Sequence, residues 1–440
     1  MLFMAWVRLM SLKRGLYSFF LYLIFPFVLI RLFWRSRHNV AYRQRIGQRL
    51  GWYKTVSEKP VIWVHAVSVG EVIASKPLVE KLLQDYPHHR LLITTTTPTG
   101  SERVIDIYGD RVAHSYFPYD LPEIIHRFLK RVAPKILIVI ETEIWPNLYA
   151  ACNKNNIPLL IVNARLSKRS TLAYQKIRPL VAETLQWVNH IAVRSTQDAQ
   201  RFLALGARLE QIDVTGNIKF DLTLNDAQIY EGKKRRKKWG ESRPVLVVAS
   251  THKGEDDVFI SLYITLKKRF PDLLMILVPR HPERFDEVFE ACQKLTKAGI
   301  KTVRHQQVTD YQDLNADIIL GDTMGEMQSW FAAADVVFMG GSLVPVGGHN
   351  PLEAIALGKP VVSGQYMFNF DDMVSDLVRK KLMLICQSNQ ELATHLTNHL
   401  KKFSQQSHKQ EFEYQAVAFM QHHQGATTSC LALVSRYLEH

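Results

Sequence analysis

Cysteine is scarce. Only Cys152, Cys292, Cys386 and Cys430 occur in 440 residues, far apart, with no C-x-x-C and no histidine at zinc-finger spacing. That excludes a disulfide framework and a structural zinc site, and leaves four small apolar residues in a reducing compartment. The first strand-to-helix turn reads Val67-Ser68-Val69-Gly70-Glu71 and lacks G-x-G-x-x-G, which argues against a dinucleotide site. No G-x-x-x-x-G-K-[ST] occurs, which removes the P-loop NTPases. No D-x-D metal motif is present either, Asp371-Asp372 being too isolated to count. Acidic residues are absent from the first 57 positions, which hold ten basic ones. Of 55 Lys plus Arg and 41 Asp plus Glu, this leaves 45 against 41, or +4, for the other 383 residues. A basic N-terminus on a near-neutral body fits an anionic membrane surface and excludes nucleic-acid binding along the whole chain.

What is present is a globular composition, 47% hydrophobic and 22% charged, in a length that suits two domains. From Gly15 to Ile30 runs an uncharged stretch, GLYSFFLYLIFPFVLI, with Arg8, Lys13 and Arg14 before it and Arg31, Arg35, Arg37, Arg43, Arg45 and Arg49 after it. As a helix it is about 24 Å long against a hydrocarbon core of about 30 Å, marginal for a span. No small-residue cleavage site follows the apolar run, so a removable signal peptide is not expected. The heavier basic flank lies C-terminal, which predicts that the body stays on the cytoplasmic side. Trp6, Trp34, Tyr17 and Tyr22 suit the headgroup zone. A buried core helix is the alternative, but so many bracketing arginines favour an anchor or a surface-inserted helix over residues 1–37.

After Pro60 the chain alternates short apolar runs with helical stretches. The first half has strands at 61–67, 90–97, 135–141, 157–164, 190–195 and 212–217; the second has them at 244–250, 273–280, 316–322, 334–341, 359–364 and 382–387. Strand and helix in alternation imply α/β architecture with parallel sheets and right-handed crossovers. Two Rossmann-like domains are therefore expected, 38–230 and 242–440. The charge run of 231–241, Lys233 to Lys238 included, reads as a linker. Those six cations are either simply solvated or in contact with an anionic surface. Ligands of open parallel sheets bind beyond the carboxyl ends of the strands, so a cleft between two facing sheets is the expected site.

The candidate residues follow each strand. Ser68-x-x-Glu71 is a capping box in which Glu71 reaches back to the Ser68 amide; alternatively Glu71, kept ionised by a helix dipole, is a general base. Glu141 and Glu143 end a strand two residues apart and are expected on one face, either as ordinary helix-start acids or as a cleft pair contacting substrate or a cation. Trp145-Pro146 then starts a helix. Lys219, in TGNIKFD, is a solvated cation or one that meets an anionic donor. In the second half Pro279 and Arg280 follow a buried strand, where Arg280 suits a phosphate or carboxylate, while His281 is as readily a structural hydrogen-bonder as a ligand. Gly321 to Glu326 opens a helix whose amides suit an anion. Gly340-Gly341-Ser342 followed by Gly347-Gly348-His349-Asn350-Pro351-Leu352-Glu353 reads as a phosphate cradle, with Glu353 one turn in to accept ribose hydroxyls.

Taken together, HAVSVGE, ETEIWPN, NARLSKRS, GNIKFD, VPRHPERF, GDTMGEM and GGHNPLEA, in this order behind a basic apolar N-terminus, resemble the 3-deoxy-D-manno-octulosonic acid (Kdo) transferases from about Leu16 onward. Residues 1 to about 12 fall outside that pattern. The resemblance implies a GT-B glycosyltransferase at the bacterial inner membrane, which moves Kdo from CMP-Kdo to a lipid A precursor. It further implies Glu71 as general base, Glu141 and Lys219 as stabilisers of the transition state, and Pro279, Arg280, Met324, Gly325, Glu326, Asn350, Pro351, Leu352 and Glu353 around CMP. No cofactor and no metal are expected, since a monophosphate leaving group needs only amides and Arg280. A nucleotide-sugar epimerase or another lipid glycosyltransferase with a UDP donor, and a membrane-tethered non-catalytic sensor with Glu71 as a mere cap, are the rival readings. No motif decides how many Kdo units are added.

Overall fold

The computed structural model describes residues 12–37, 40–53, 58–311 and 315–439. The expectations placed on residues 1–11, Trp6 and Arg8 among them, lie outside these. The chain divides into two compact units, the first ending at Asp221 but joined by His423–His440, the second Leu222–His422.

The first unit is built on β1 (Val61–His65), β2 (Arg90–Thr95), β3 (Ala113–Tyr116), β4 (Pro134–Ile140), β5 (Leu159–Ala164), β6 (His190–Val193) and β7 (Ile212–Val214). They form one parallel sheet in the order β3-β2-β1-β4-β5-β6-β7. Strand periodicity divides the core between its faces: Trp63, Leu137, Leu159 and Ile161 pack with Phe128 on one side, while Ile62, Val64, Ile136 and Ile138 pack on the other. The second unit has β8 (Val245–Thr251), β9 (Leu274–Pro279), β10 (Thr302–Arg304), β11 (Ile318–Leu320), β12 (Val336–Met339), β13 (Val361–Gly364) and β14 (Met383–Cys386). Its parallel order is β10-β11-β9-β8-β12-β13-β14. The twelve expected strands are all present. The two that the sequence did not announce, Ala-His-Ser-Tyr and Thr-Val-Arg, are both short edge strands with polar residues, which carry little apolar signal.

The expected linker 231–241 is instead occupied by a helix, Asp226–Trp239, capped by the Asn225 side chain, which accepts from the Ala227 and Gln228 amides at 3.1 and 3.2 Å. It belongs to the second unit. Its backbone approaches the helix Met327–Ala333 so closely that a Cβ on Gly232 would lie 2.2 Å from Ser329 O. Arg235 is buried over the Trp330 ring, 4.5 Å from its centroid, and Arg236 pairs with Asp335 at 2.9 Å. Lys238 pairs with Asp310, so only Lys233, Lys234 and Lys237 of the basic run are exposed. The run has little apolar periodicity because its buried contacts are made by guanidinium groups on aromatic and acidic partners.

The C-terminal boundary also differs from expectation. The helix Ala426–Leu438 returns to the first sheet and buries Ala426, Cys430, Leu433 and Val434 in the Ile62 and Val64 cluster. Asp221 receives the Gly425 and Thr427 amides at 2.7 and 2.5 Å and holds its start. All four cysteines are buried and unpaired.

The apolar N-terminal stretch is a helix of 25 residues, Leu12–Ser36, long and apolar enough to cross a membrane by length and composition. One side faces the first unit: Tyr17 donates to Asp120 at 3.0 Å, Ser18 to Asn147 Oδ1 at 3.1 Å, and Tyr22 to Glu123. Phe25 meets Tyr119 edge-on at 5.3 Å, and Leu32 and Ser36 are buried. Phe19, Phe20, Leu23, Phe27, Ile30, Phe33 and Trp34 are exposed.

Candidate active site

In the first sheet the strand order reverses direction between β1 and β4, and the two carboxylates singled out from the sequence sit at this switch point, Glu71 after β1 and Glu141 after β4. Ser68 caps the helix Val69–Ala74, its Oγ accepting from the Glu71 amide at 3.5 Å. The Glu71 carboxylate, however, reaches past Ser68 and accepts from the Val67 amide at 2.6 Å through Oε2. One oxygen is thereby oriented, while Oε1 has, among the described residues, only the Ser68 hydroxyl at 3.4 Å. The expectation of a carboxylate kept ionised by a helix dipole does not hold. Burial first, then the charges of Glu141 and Glu143, push the Glu71 carboxyl up to about 8.

Glu141 and Glu143 lie just beyond the last strand residue, Ile140. Glu141 has left-handed backbone, φ 62°, so the chain turns at the strand end, and its charge and that of Glu143 both act on Glu71. Glu141 Oε1 lies 2.5 Å from Arg194 and 3.5 Å from Lys219 Nζ. Burial works to raise its pKa, but Arg194, Lys219 and Arg165 outweigh it and hold Glu141 below the ordinary glutamate range. Burial takes Glu143 the other way, up to about 7. The three carboxylates thus titrate apart, one stably anionic and two that carry protons near neutrality.

Lys219 is positioned by its own motif. Asn217 Oδ1 accepts from the Lys219 amide at 3.1 Å, and Asn163 Oδ1 from the Ile218 amide at 3.2 Å. Asn163 itself has φ 58°, a conformation that asparagine tolerates better than most residues. Burial lowers the Lys219 pKa while Glu141 opposes the fall. Arg194 is a site residue that the sequence reading passed over, although its place directly after β6 obeys the same strand-end rule.

In the second unit Arg280 follows Pro279 at the end of β9, with its amide bound to Thr251 O at 3.0 Å. Around it gather His252, His281 and His349: the His252 and His349 Nε2 atoms are 2.9 Å apart, and the His252 and His281 rings meet edge-on at 5.2 Å. Burial, then Arg280 and the other two histidines, drive His349 down to about 3, so this cluster disfavours further positive charge and suits an anion. Glu326 caps the helix Met327–Ala333 by position, bonds Thr323 Oγ1 at 2.5 Å, and pairs with His305 at 2.6 Å and Arg235 at 3.3 Å. Met324 is exposed, and Gly325 beside it has φ 84°. Asn350 Oδ1 accepts from the Leu352 amide at 3.1 Å, Pro351 and Leu352 are buried, and Glu353 receives Gln328 Nε2 at 3.4 Å.

Part of the expected phosphate cradle is already filled. The Gly341, Ser342 and Leu343 amides donate to the buried Glu255 carboxylate at 2.7, 2.9 and 2.8 Å, and the His252 amide adds a fourth bond at 2.9 Å. The chain supplies its own anion to this nest, so the amides of Gly340-Gly341-Ser342 hold the loop rather than a ligand. Glu255 was missed because it lies some 86 residues from the loop whose amides donate to it. Among the described residues no three His, Cys, Asp or Glu side chains form a metal-ligand set.

The family model described as 3-deoxy-D-manno-octulosonic-acid transferase (kdotransferase) matches residues 44–222. A 3-deoxy-D-manno-octulosonic acid transferase of Haemophilus influenzae is 39% identical over 97% of this chain and 99% of its own length. One of Bordetella pertussis is 33% identical over 97% of this chain and 99% of its own. In fold the chain is like the UDP-GlcNAc 2-epimerase of Neisseria meningitidis, with a TM-score of 0.52 and 14% identity over 86% of this chain and all of that one. Two parallel seven-stranded α/β units of GT-B type are thus what the resemblance led one to expect. The chain belongs to the Kdo transferases, glycosyltransferases of lipopolysaccharide biosynthesis.

Proposed function

We propose that the protein transfers Kdo from CMP-Kdo to a phosphorylated lipid A precursor with inversion, using Glu71 as general base. Glu71 supports this reading: a half-buried carboxylate at the switch point, oriented through Oε2 by the Val67 amide, with a pKa raised to about 8. A general base works best when its pKa lies near the operating pH, and an inverting transfer needs one to take the proton of the attacking hydroxyl. Glu141, held anionic by Arg194, keeps Lys219 in place at 3.5 Å. The ammonium then faces the negative charge that develops as the donor phosphate leaves. CMP is held in the second unit by Pro279, Arg280, Met324, Gly325, Glu326 and Asn350 to Glu353. Arg280 takes the phosphate and Glu353 the ribose hydroxyls. Since the Gly341 nest is filled by Glu255, Arg280 and the histidines beside it carry the phosphate charge. No divalent metal is required.

The acceptor is a membrane lipid, and the helix Leu12–Ser36 brings the enzyme to it. Because Tyr17, Ser18, Tyr22 and Phe25 are bound to the first unit along one side, the helix lies in the interface, apolar side in the lipid, rather than spanning it. The bodies of both units remain on the cytoplasmic side of the inner membrane, where basic flanks meet anionic lipid.

The test is incubation of the detergent-solubilised protein with a CMP-Kdo generating system and tetraacylated lipid A precursor, with product masses read by mass spectrometry. Gain of one or more Kdo masses supports the reading. No gain, or displacement of bound nucleotide by UDP in preference to CMP, overturns it.

A further inference from the structure

Arg49 is 5% exposed, yet among the described residues no carboxylate pairs with it or with its neighbour Arg45. The two guanidinium groups share one aromatic ring, lying 4.0 and 4.6 Å from the Tyr116 centroid. Arg49 donates to Thr96 O at 2.9 Å, while its Nε–H is enclosed without an acceptor. Arg45 reaches Ser101 Oγ at 2.5 Å and His114 Nδ1 at 3.2 Å, and its backbone is left-handed at φ 54°. His114 brings no negative charge; burial and the two arginines push it down to about 3. Like charges held together without a counter-ion cost free energy, the more so where one of them, Arg49, is buried, and strained backbone of this kind persists where the surroundings need it.

The place of the pair tells which anion it awaits. Thr96 follows β2, and its amide and hydroxyl both donate to Val67 O, at 3.1 and 3.0 Å. Val67 in turn donates to Glu71. Arg49 is therefore linked through Thr96 and Val67 to the loop that carries the base, at the carboxyl edge where ligands of such sheets bind.

We propose that Arg45 and Arg49 bind a phosphate carried by the acceptor glycolipid and so set the acceptor hydroxyl against Glu71, an inference that rests on the transfer reaction proposed above. Two forked guanidinium groups beside one aromatic ring match the oxygens of a phosphomonoester. The phosphate supplies the missing counter-charge on binding. A lipid acceptor without it leaves Arg49 buried and uncompensated.

The test compares transfer by wild type, Arg45→Gln, Arg49→Gln and Arg49→Lys to phosphorylated and enzymatically dephosphorylated acceptor in detergent. Wild type should show a KM about 10- to 100-fold lower for the phosphorylated acceptor. Each Gln variant should raise that KM about tenfold or more with kcat nearly constant, leave KM for the dephosphorylated acceptor unchanged, and so shrink the preference. Arg49→Lys, which keeps the charge but loses the fork, should fall between. Arg45 is exposed, so Arg45→Gln decides the matter even where Arg49→Gln fails to fold. A preference that survives both substitutions overturns the site. Equal transfer by wild type to both acceptors overturns it while leaving the transferase reading intact; transfer to neither removes both. Loss of sedimentation with phosphatidylglycerol vesicles at an unchanged acceptor preference assigns the pair to the membrane surface and overturns it as well.

Discussion

Glu255 Oε2 lies 2.7 Å from the Gly341 amide, and its other oxygen takes the next two amides of the same loop. A glycine-rich turn that would ordinarily receive a ligand phosphate has been closed from inside by a residue of the same chain. Gln at this position retains one oxygen but turns an NH₂ group toward amide donors. Glu255→Gln should lower stability by about 2 to 4 kcal/mol, read as a drop of the melting temperature, and weaken CMP binding only through the loop. An unchanged melting temperature would mean that the amides find water instead.

Glu71→Gln should reduce kcat by about 10² to 10⁴ without loss of fold, as expected for removal of a general base. A turnover near that of wild type in a folded variant would reassign Glu71 to capping alone.

The pH dependence has two consequences of opposite sign. Because the Glu71 carboxyl is raised to about 8, the ionised base becomes available as pH rises through that value, and kcat/KM should climb towards a plateau above it. Stability runs the other way. A carboxyl whose pKa is higher in the fold than in the unfolded chain favours the fold at pH below about 4.3, and that contribution is lost as pH rises through about 8. Glu143, raised to about 7, has the same sign. Denaturant titrations from pH 5 to 9 should therefore show declining stability, and Glu71→Gln should flatten the decline.

Arg194→Gln removes the nearer of the two ion-pair partners of Glu141, whose side chain is 23% exposed. Lys219 and Arg165 remain, so the loss should be on the order of 2 to 3 kcal/mol, below the range for an unsupported buried pair. Lys219→Ala, by contrast, should act mainly on kcat, and a matched fall of kcat and kcat/KM would separate its role from binding.

Removal of residues 1–36 should abolish sedimentation with anionic vesicles and leave CMP binding intact, since the helix is bonded to Asp120 and Asn147 of the first unit. Tyr17→Phe should cost less, about 1 kcal/mol, because Asp120 keeps the Asn147 and Leu148 amides at 3.1 and 2.7 Å. Full activity on vesicle-borne acceptor after truncation would overturn the anchor. Retention of full rate after EDTA treatment is the companion expectation for a metal-free reaction.

Much of this was legible in the chain itself. Runs such as VIWVH and KILIVI are apolar on both faces, which is the mark of a strand covered by helices on either side, and their alternation with helices implied two parallel sheets. The strand-end rule then led directly to Glu71, Glu141, Lys219 and Arg280, because in this architecture loop chemistry collects at one edge. The basic, acid-free start and the apolar run pointed to a membrane surface for the same local reason, composition over a short window.

What the linear chain did not decide was which distant partners those residues meet. The carboxylate of Glu255 in the Gly341 nest, the return of Ala426–Leu438 to the first sheet, and the burial of Arg235 over Trp330 all join segments tens to hundreds of residues apart. The ionisation of Glu71 is of the same kind, set by burial and by two other carboxylates some 70 residues away in the chain. Periodicity and strand-end position are local properties and can be read in order. Charge compensation and desolvation depend on what surrounds a group in three dimensions, and only the tertiary structure decides them.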